Sequence, residues 1–198
     1  MTLSHRARRL IAVLASALVV ATAAPAMAQT PSVSADRAAV SPRVATSVTK
    51  SVVMANVQSV LKMRAKLARI AYAKATRTAV LKVARAQIGD PYIAGNAGPD
   101  GFDCGGLVQF VFKKALGKEL LRSSRQQYTQ VTKIKRKNAQ PGDLVFFFEG
   151  GAHHVGIYIG NGKMIDAPRR GQKVRVSPID GSWWGRSYTG MGRVLPAV

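Results

Sequence analysis

The sequence predicts an α+β domain in which N-terminal helices pack on a central antiparallel sheet of about five to six strands. Three observations carry that expectation. Apolar residues recur at helical spacing as far as about Leu116. After Pro141-Gly142 the pattern changes to the alternation of strands. Helices first and strands afterwards is the order of α+β folds, not of alternating βαβ units. The chain has 198 residues, 47 % hydrophobic and 20 % charged, which suits one packed domain with some extra length and excludes wholesale disorder.

Taken in order, residues 1–28 read as a secretory signal peptide. His5, Arg6, Arg8 and Arg9 make a positive start, Leu10 to Ala24 carries no charge, and Ala26-Met27-Ala28 offers small residues for cleavage. Residues 29–49, rich in Ala, Ser, Thr, Val and Pro, read as a flexible linker. Residues 50–77 read as a basic amphipathic helical segment. Val53, Val57, Val60, Met63, Leu67 and Ile70 recur at helical spacing, with Lys62, Arg64, Lys66, Arg69 and Lys74 mostly off that stripe. Three uses fit such a segment: packing on the following domain, adsorption to an anionic surface, or shielding of a site as a pro-segment.

Residues 78–198 read as the folded domain. Thr78 is placed to cap a helix that runs through Ile88, with Gly89 stopping it and Pro91 beyond. Gly, Pro, Asn and Asp crowd residues 89–101 into a long structured loop. A second helix is expected from Cys104 to about Leu116, with Asp103 at its N-cap, Leu107, Val108, Val111 and Ala115 on its apolar face, and Gly117 at its end. Strands are expected at 144–148, 154–159, 163–167, 174–177 and 189–195.

Charge and cysteine usage narrow the chemistry. Thirty Lys and Arg against nine Asp and Glu give a net charge of +21, which calls for an anionic environment. Export makes nucleic acid a poor partner and favours anionic cell-wall polymers or a membrane surface. The single cysteine excludes a disulfide framework and any Cys-rich zinc module.

Beyond residue 28 the chain holds one Cys and two adjacent His, so the candidates for nucleophilic catalysis are almost forced. Cys104 at a helix start faces the positive end of the helix dipole and nearby N–H groups, which favour a reactive thiolate. Gly105 and Gly106 are expected to leave the helix start uncrowded for a substrate carbonyl, and the Cys104 N–H is a candidate oxyanion donor. Alternation along 154–159 puts Val155, Ile157 and Ile159 toward a core and His154, Gly156 and Tyr158 on the other face, with His154 toward a cleft. His153 reads as a neighbour, not as the base.

A base needs an orienting group, and Asp166 lies on the next strand across Gly160-Asn161-Gly162. A two-residue hairpin pairs Asp166 with Ile157, on the wrong side. A three-residue loop with a bulge pairs it with Gly156, diagonal to His154. A triad therefore requires the second register. A cysteine, two histidines and several aspartates can imitate a zinc site, but a thiol at a helix start suits nucleophilic work better, so neither metal nor cofactor is expected.

These residues resemble the NlpC/P60 cysteine peptidases. The resemblance lies in 84–92 (Ala-Arg-Ala-Gln-Ile-Gly-Asp-Pro-Tyr), 101–109 (Gly-Phe-Asp-Cys-Gly-Gly-Leu-Val-Gln), 122–127 (Arg-Ser-Ser-Arg-Gln-Gln), 140–147 (Gln-Pro-Gly-Asp-Leu-Val-Phe-Phe), and 154–162 with 164–168. It covers the C-terminal domain only. It implies a papain-like fold and hydrolysis of peptidoglycan stem peptides, by analogy at the D-γ-glutamyl to diamino-acid bond. Carried over, Cys104 is the nucleophile, His154 the general base and Asp166 the orienting residue. Tyr92 falls where the family's tyrosine contacts substrate or oxyanion, and Asp103 where an acidic residue anchors a substrate amine or caps the helix. Gly105, in the same substrate-binding stretch, stands where the family commonly has serine. Ala94, Gly95 and Asn96 stand where it commonly has an aromatic residue and two glycines. The expectation is a monomeric exported cysteine endopeptidase of the cell wall or periplasmic space. Its rivals are a wall-peptide-binding module of the same fold that no longer cuts, and another thiol chemistry such as transacylation or amidase action on lipids.

Overall fold

A computed structural model describes residues 42–151 and 153–197. The expected signal peptide and residues 29–41 of the expected linker lie outside them. Three helices, α1 (Pro42–Ala86), α2 (Cys104–Leu116) and α3 (Ser124–Gln130), precede or flank six strands: β1 (Thr132–Ile134), β2 (Leu144–Phe147), β3 (His154–Gly160), β4 (Lys163–Asp166), β5 (Arg175–Pro178) and β6 (Tyr188–Arg193). The strands form one sheet in the order β1-β6-β2-β3-β4-β5, every pairing antiparallel. The class is α+β, as the sequence predicts.

Side-chain alternation decides which face of the sheet each residue meets. Leu144, Phe146, Val155, Ile157 and Ile165 form one core with Leu107, Val108, Val111 and Phe112 of α2. Full burial of each such side chain stabilises by roughly 1.5–3 kcal/mol. The opposite face was expected to open toward a cleft, and here the structure differs. Val145, Phe147, Met164 and Met191 point to it and are buried by Ile179 and Trp184 from the segment after β5. That face carries a second, smaller core, and His154 lies at its margin.

The long N-terminal helix departs most from the expected boundaries. α1 begins at Pro42, inside the expected linker, and runs through Thr78 without a break. Proline is at home in a first helical turn, and residues 43–86 contain neither glycine nor a second proline to stop the helix. Most of the expected stripe does not pack on the domain: Val53, Val57, Val60, Met63 and Leu67 are exposed, and Ile70 alone is half-buried. No helix among the described residues is long and apolar enough to cross a membrane.

Packing of α1 starts before residue 78. Ala73, Thr76 and Arg77 are buried. Arg77 Nη1 donates to Asp143 Oδ1 at 3.0 Å and to the Pro141 carbonyl at 2.7 Å, while Nε and Nη2 donate to the Pro196 carbonyl. Asp143, fully buried, also accepts from Arg193 and from the Gln140 N–H. The domain therefore includes the last turns of α1. Arg77→Ala strips one partner from a buried carboxylate and from three carbonyls, that of Gln140 included, and is expected to lower stability by about 3 kcal/mol in urea unfolding. A chain shortened to start at residue 72 is expected to unfold at the parental midpoint, whereas one starting at residue 78 is not.

Candidate active site

The site begins where the loop 89–103 turns into α2. Asp103 has extended backbone and caps the helix, its Oδ1 accepting from the Gly106 N–H at 2.7 Å. Cys104 is thereby the first helical residue. The same carboxylate accepts from Arg122 Nη1 and Nη2 at 2.8 and 2.7 Å, a bidentate pair, and from the Gly95 N–H at 2.9 Å. Burial raises the Asp103 pKa, but the Arg122 guanidinium and the Gly106 N–H outweigh it and hold the carboxyl below its usual value. Both oxygens are thus engaged by protein donors. Of the two expected roles for Asp103, capping is the one its contacts match, with Arg122 as an unforeseen partner.

Gly105 and Gly106 correct the expectation of an uncrowded helix start. A Cβ on Gly105 would lie 2.4 Å from the Arg122 carbonyl, and one on Gly106 would lie 2.1 Å from the Asn96 carbonyl. Both residues are buried. They let two loops close against the first turn of α2, so Gly105 lies inside the packing instead of on a substrate surface. Gln127, buried on α3, adds a tie by donating Nε2 to the Gly105 and Leu121 carbonyls at 2.9 and 2.7 Å.

His154 opens β3 with its side chain 3 % exposed. Its Nε2 lies 2.9 Å from Asp166 Oδ2, and Asp166 Oδ1 accepts from Ser177 Oγ at 2.6 Å. Trp184 stacks on the imidazole, centroids 4.2 Å apart and planes 11° from parallel. Cys104 acts on the same imidazole, its hydrogen bonding and charge helping Asp166 to raise the His154 pKa. The sulfur also lies 3.9 Å from the His153 carbonyl oxygen. Burial lowers the His154 pKa, but the hydrogen bonds with Asp166 and Cys104, and their charges, outweigh it and raise the value from 6.5 to about 9.

The hairpin register places Asp166. Ile157 pairs with Ile165 and Tyr158 with Met164, whereas Gly160 pairs with Lys163, so Ile159 is an extra residue on β3. Asp166 consequently stands opposite Gly156, diagonal to His154, in the register a triad requires. The route differs from the expected three-residue loop. Asn161 and Gly162 make a two-residue turn with φ of 51° and 65°, and the bulge behind it supplies the shift.

Of the remaining expected residues, Tyr92 is half-buried, and its hydroxyl pKa is raised by burial and by the Cys104 and Asp103 charges. His153 is exposed, its ring edge-on to Phe148. Trp184 and Ser177 were not foreseen. Ser177 lies on an expected strand, but only the β4–β5 pairing, Asp166 with Arg175 and Met164 with Ser177, turns it toward the aspartate. Arg175 Nε donates to Ser177 Oγ at 3.2 Å and extends the chain of contacts to Cys104–His154–Asp166–Ser177–Arg175. Among the described residues no cluster of three His, Cys, Asp or Glu forms a metal site.

Ser177→Ala is expected to lower kcat about tenfold with little change in KM, because a freed carboxylate orients the imidazole less firmly. A steady-state comparison on one peptide checks this, and an unchanged kcat would show that Ser177 only fills space.

The NlpC/P60 family profile matches residues 89–193. The chain is 47 % identical over 116 residues to the probable endopeptidase p60 of Listeria monocytogenes, covering 58 % of this chain and 23 % of that protein. It is 40 % identical over 128 residues to the murein DD-endopeptidase MepH of Escherichia coli (62 % and 47 %) and 42 % identical over 118 residues to the γ-DL-glutamyl hydrolase of Bacillus subtilis (58 % and 28 %). The match thus spans about a quarter of p60 and under half of MepH. Among solved structures, the peptidoglycan hydrolase RipB of Mycobacterium tuberculosis is similar with a TM-score of 0.56 at 33 % identity, over 63 % of this chain and 67 % of that one. RipD of the same organism, described as a non-catalytic NlpC/p60 domain protein adapted to peptidoglycan binding, is similar with a TM-score of 0.53 at 31 % identity, over 61 % and 98 %.

Proposed function

The chain belongs to the NlpC/P60 family, and from that premise we propose that it is an exported cysteine endopeptidase that hydrolyses peptidoglycan stem peptides at the D-γ-glutamyl to diamino-acid bond. The observation that carries the reading is the His154–Asp166 hydrogen bond of 2.9 Å, on an imidazole that also feels Cys104 at the start of α2. Cys104 attacks the scissile carbonyl as thiolate and forms a C–S bond, while the Cys104 N–H at the helix start faces the developing oxyanion. His154, held protonated by Asp166, gives its Nδ1 proton to the leaving nitrogen as the C–N bond breaks. Water then attacks the thioester, His154 takes its proton, and the acid and the thiolate separate. Tyr92, whose hydroxyl feels the Cys104 charge, is assigned contact with the substrate or the oxyanion.

The names of MepH and the Bacillus hydrolase point to different bonds, so the bond is the part to test. Defined cross-linked stem peptides incubated with the full chain and read by mass spectrometry are expected to yield a fragment ending in D-γ-glutamate. Cleavage only at the DD cross-link would reassign the bond. Binding without cleavage would move the protein to the class of RipD. Export by residues 1–28 and attraction of the basic, exposed part of α1 to anionic wall polymers or a membrane surface belong to the same proposal, and the attraction is expected to fall as salt rises.

A further inference from the structure

A cavity of about 310 Å³ is walled by His153, His154, Trp183, Trp184, Arg169 and Arg175, among others. Cys104 is not in that wall, but the cavity shares His153 with the surroundings of the sulfur, whose hydrogen bond runs to the His153 carbonyl. The chemistry gives the sulfur and this cavity different occupants. The acyl fragment becomes bonded to sulfur. The departing nitrogen must meet the proton that His154 carries, so the departing fragment continues past the imidazole.

The charge of the cavity says what that fragment carries. No carboxylate lines it. Among the described residues neither Arg169 nor Arg175 has an acidic partner, and Arg175 bonds through Nε to Ser177, which leaves its outer nitrogens to a ligand. Trp183, 65 % exposed, adds a flat apolar wall. Two guanidiniums without an acidic partner, beside a tryptophan, suit a carboxylate on an aliphatic stem. We propose that this cavity receives the leaving fragment and that Arg169 and Arg175 select for a free carboxylate on its diamino acid. The inference rests on the endopeptidase reading and names the feature of the substrate that this end of the site reads.

The test uses two stem peptides that differ only in whether the diamino acid carries a free carboxylate or a carboxamide. The full chain is expected to hydrolyse the carboxylate peptide with a kcat/KM about tenfold higher, most of it in KM, the scale of one charge-assisted contact. Arg169→Gln, which touches no member of the triad chain, is expected to slow the carboxylate peptide alone. The double variant with Arg175→Gln is expected to lose the preference. Any slowing of the carboxamide peptide by Arg175→Gln then measures its separate contact with Ser177. Equal rates on the two peptides, or a preference that survives the double variant, would overturn the proposal.

If neither peptide is cut, the endopeptidase reading fails and the cavity is judged by itself. The Cys104→Ala chain is titrated with the free diamino acid and with its amide, following tryptophan fluorescence. Tighter binding of the acid, lost in the double arginine variant, supports the assignment. Equal binding, or none, removes it.

Discussion

Cys104→Ala is expected to lower kcat on a defined stem peptide by about 10⁴-fold or more. It is also expected to leave digestion of purified sacculi no different from a blank. The chain holds no second cysteine, so nothing replaces the nucleophile. What survives is the modest assistance of substrate binding and the N–H groups at the start of α2. The fold is expected to persist, because Cys104 is only partly buried and alanine suits a first helical turn. Thermal unfolding within a few degrees of the parent separates loss of chemistry from loss of structure. Equal muropeptide profiles from the parent and the variant would sink the hydrolase reading and leave a binding module.

Asp166→Asn is expected to have the next largest effect and a distinct signature. The parental His154 pKa lies at about 9 because hydrogen bonds and charges from Asp166 and Cys104 outweigh burial. The imidazolium that protonates the leaving amine therefore persists through neutral pH, and kcat/KM is expected to fall only as pH rises past about 9. Asparagine keeps the shape but removes the charge that holds the ring in place. The expected result is a 10²- to 10⁴-fold loss in kcat and an alkaline limb displaced toward the ordinary value of 6.5. Stability follows with a defined sign. A raised histidine pKa means that the folded state binds this proton more tightly than the unfolded chain does. That contribution is complete below 6.5 and is lost as pH rises through about 9. The melting temperature of the parent is expected to decline over that interval, and that of Asp166→Asn to decline less. An alkaline limb that stays in place in the variant would show that Asp166 does not govern the imidazole.

How far the sequence could be read varied with the range of the interaction involved. The cap at Asp103, the helix from Cys104 to Leu116 and its stop at Gly117 depend on residues a few positions apart, and all are found where local chemistry puts them. The register of Asp166 could be posed as two alternatives, because alternation has only two outcomes. The bulge at Ile159 selected between them, and no local rule names that residue in advance. Gly105 and Gly106 were misread for a related reason. Their lack of side chains is visible in the sequence, but the Arg122 and Asn96 carbonyls that make it necessary approach from other loops. The tie of Arg77 to the folded domain is not legible in the sequence, because its salt bridge to Asp143 spans 66 positions.

By itself the sequence determined the α+β order, the single cysteine, the two adjacent candidate histidines and the capped helix that begins at the cysteine. Each of these follows from residue identity or from spacing within one element. Only the tertiary structure decided that Ser177 braces Asp166, that Trp184 covers the imidazole, and that Arg169 and Arg175 line a cavity with it. Those contacts join strands and loops whose separation along the chain carries no record of their distance in space. They form because burying both faces of the sheet brings them together.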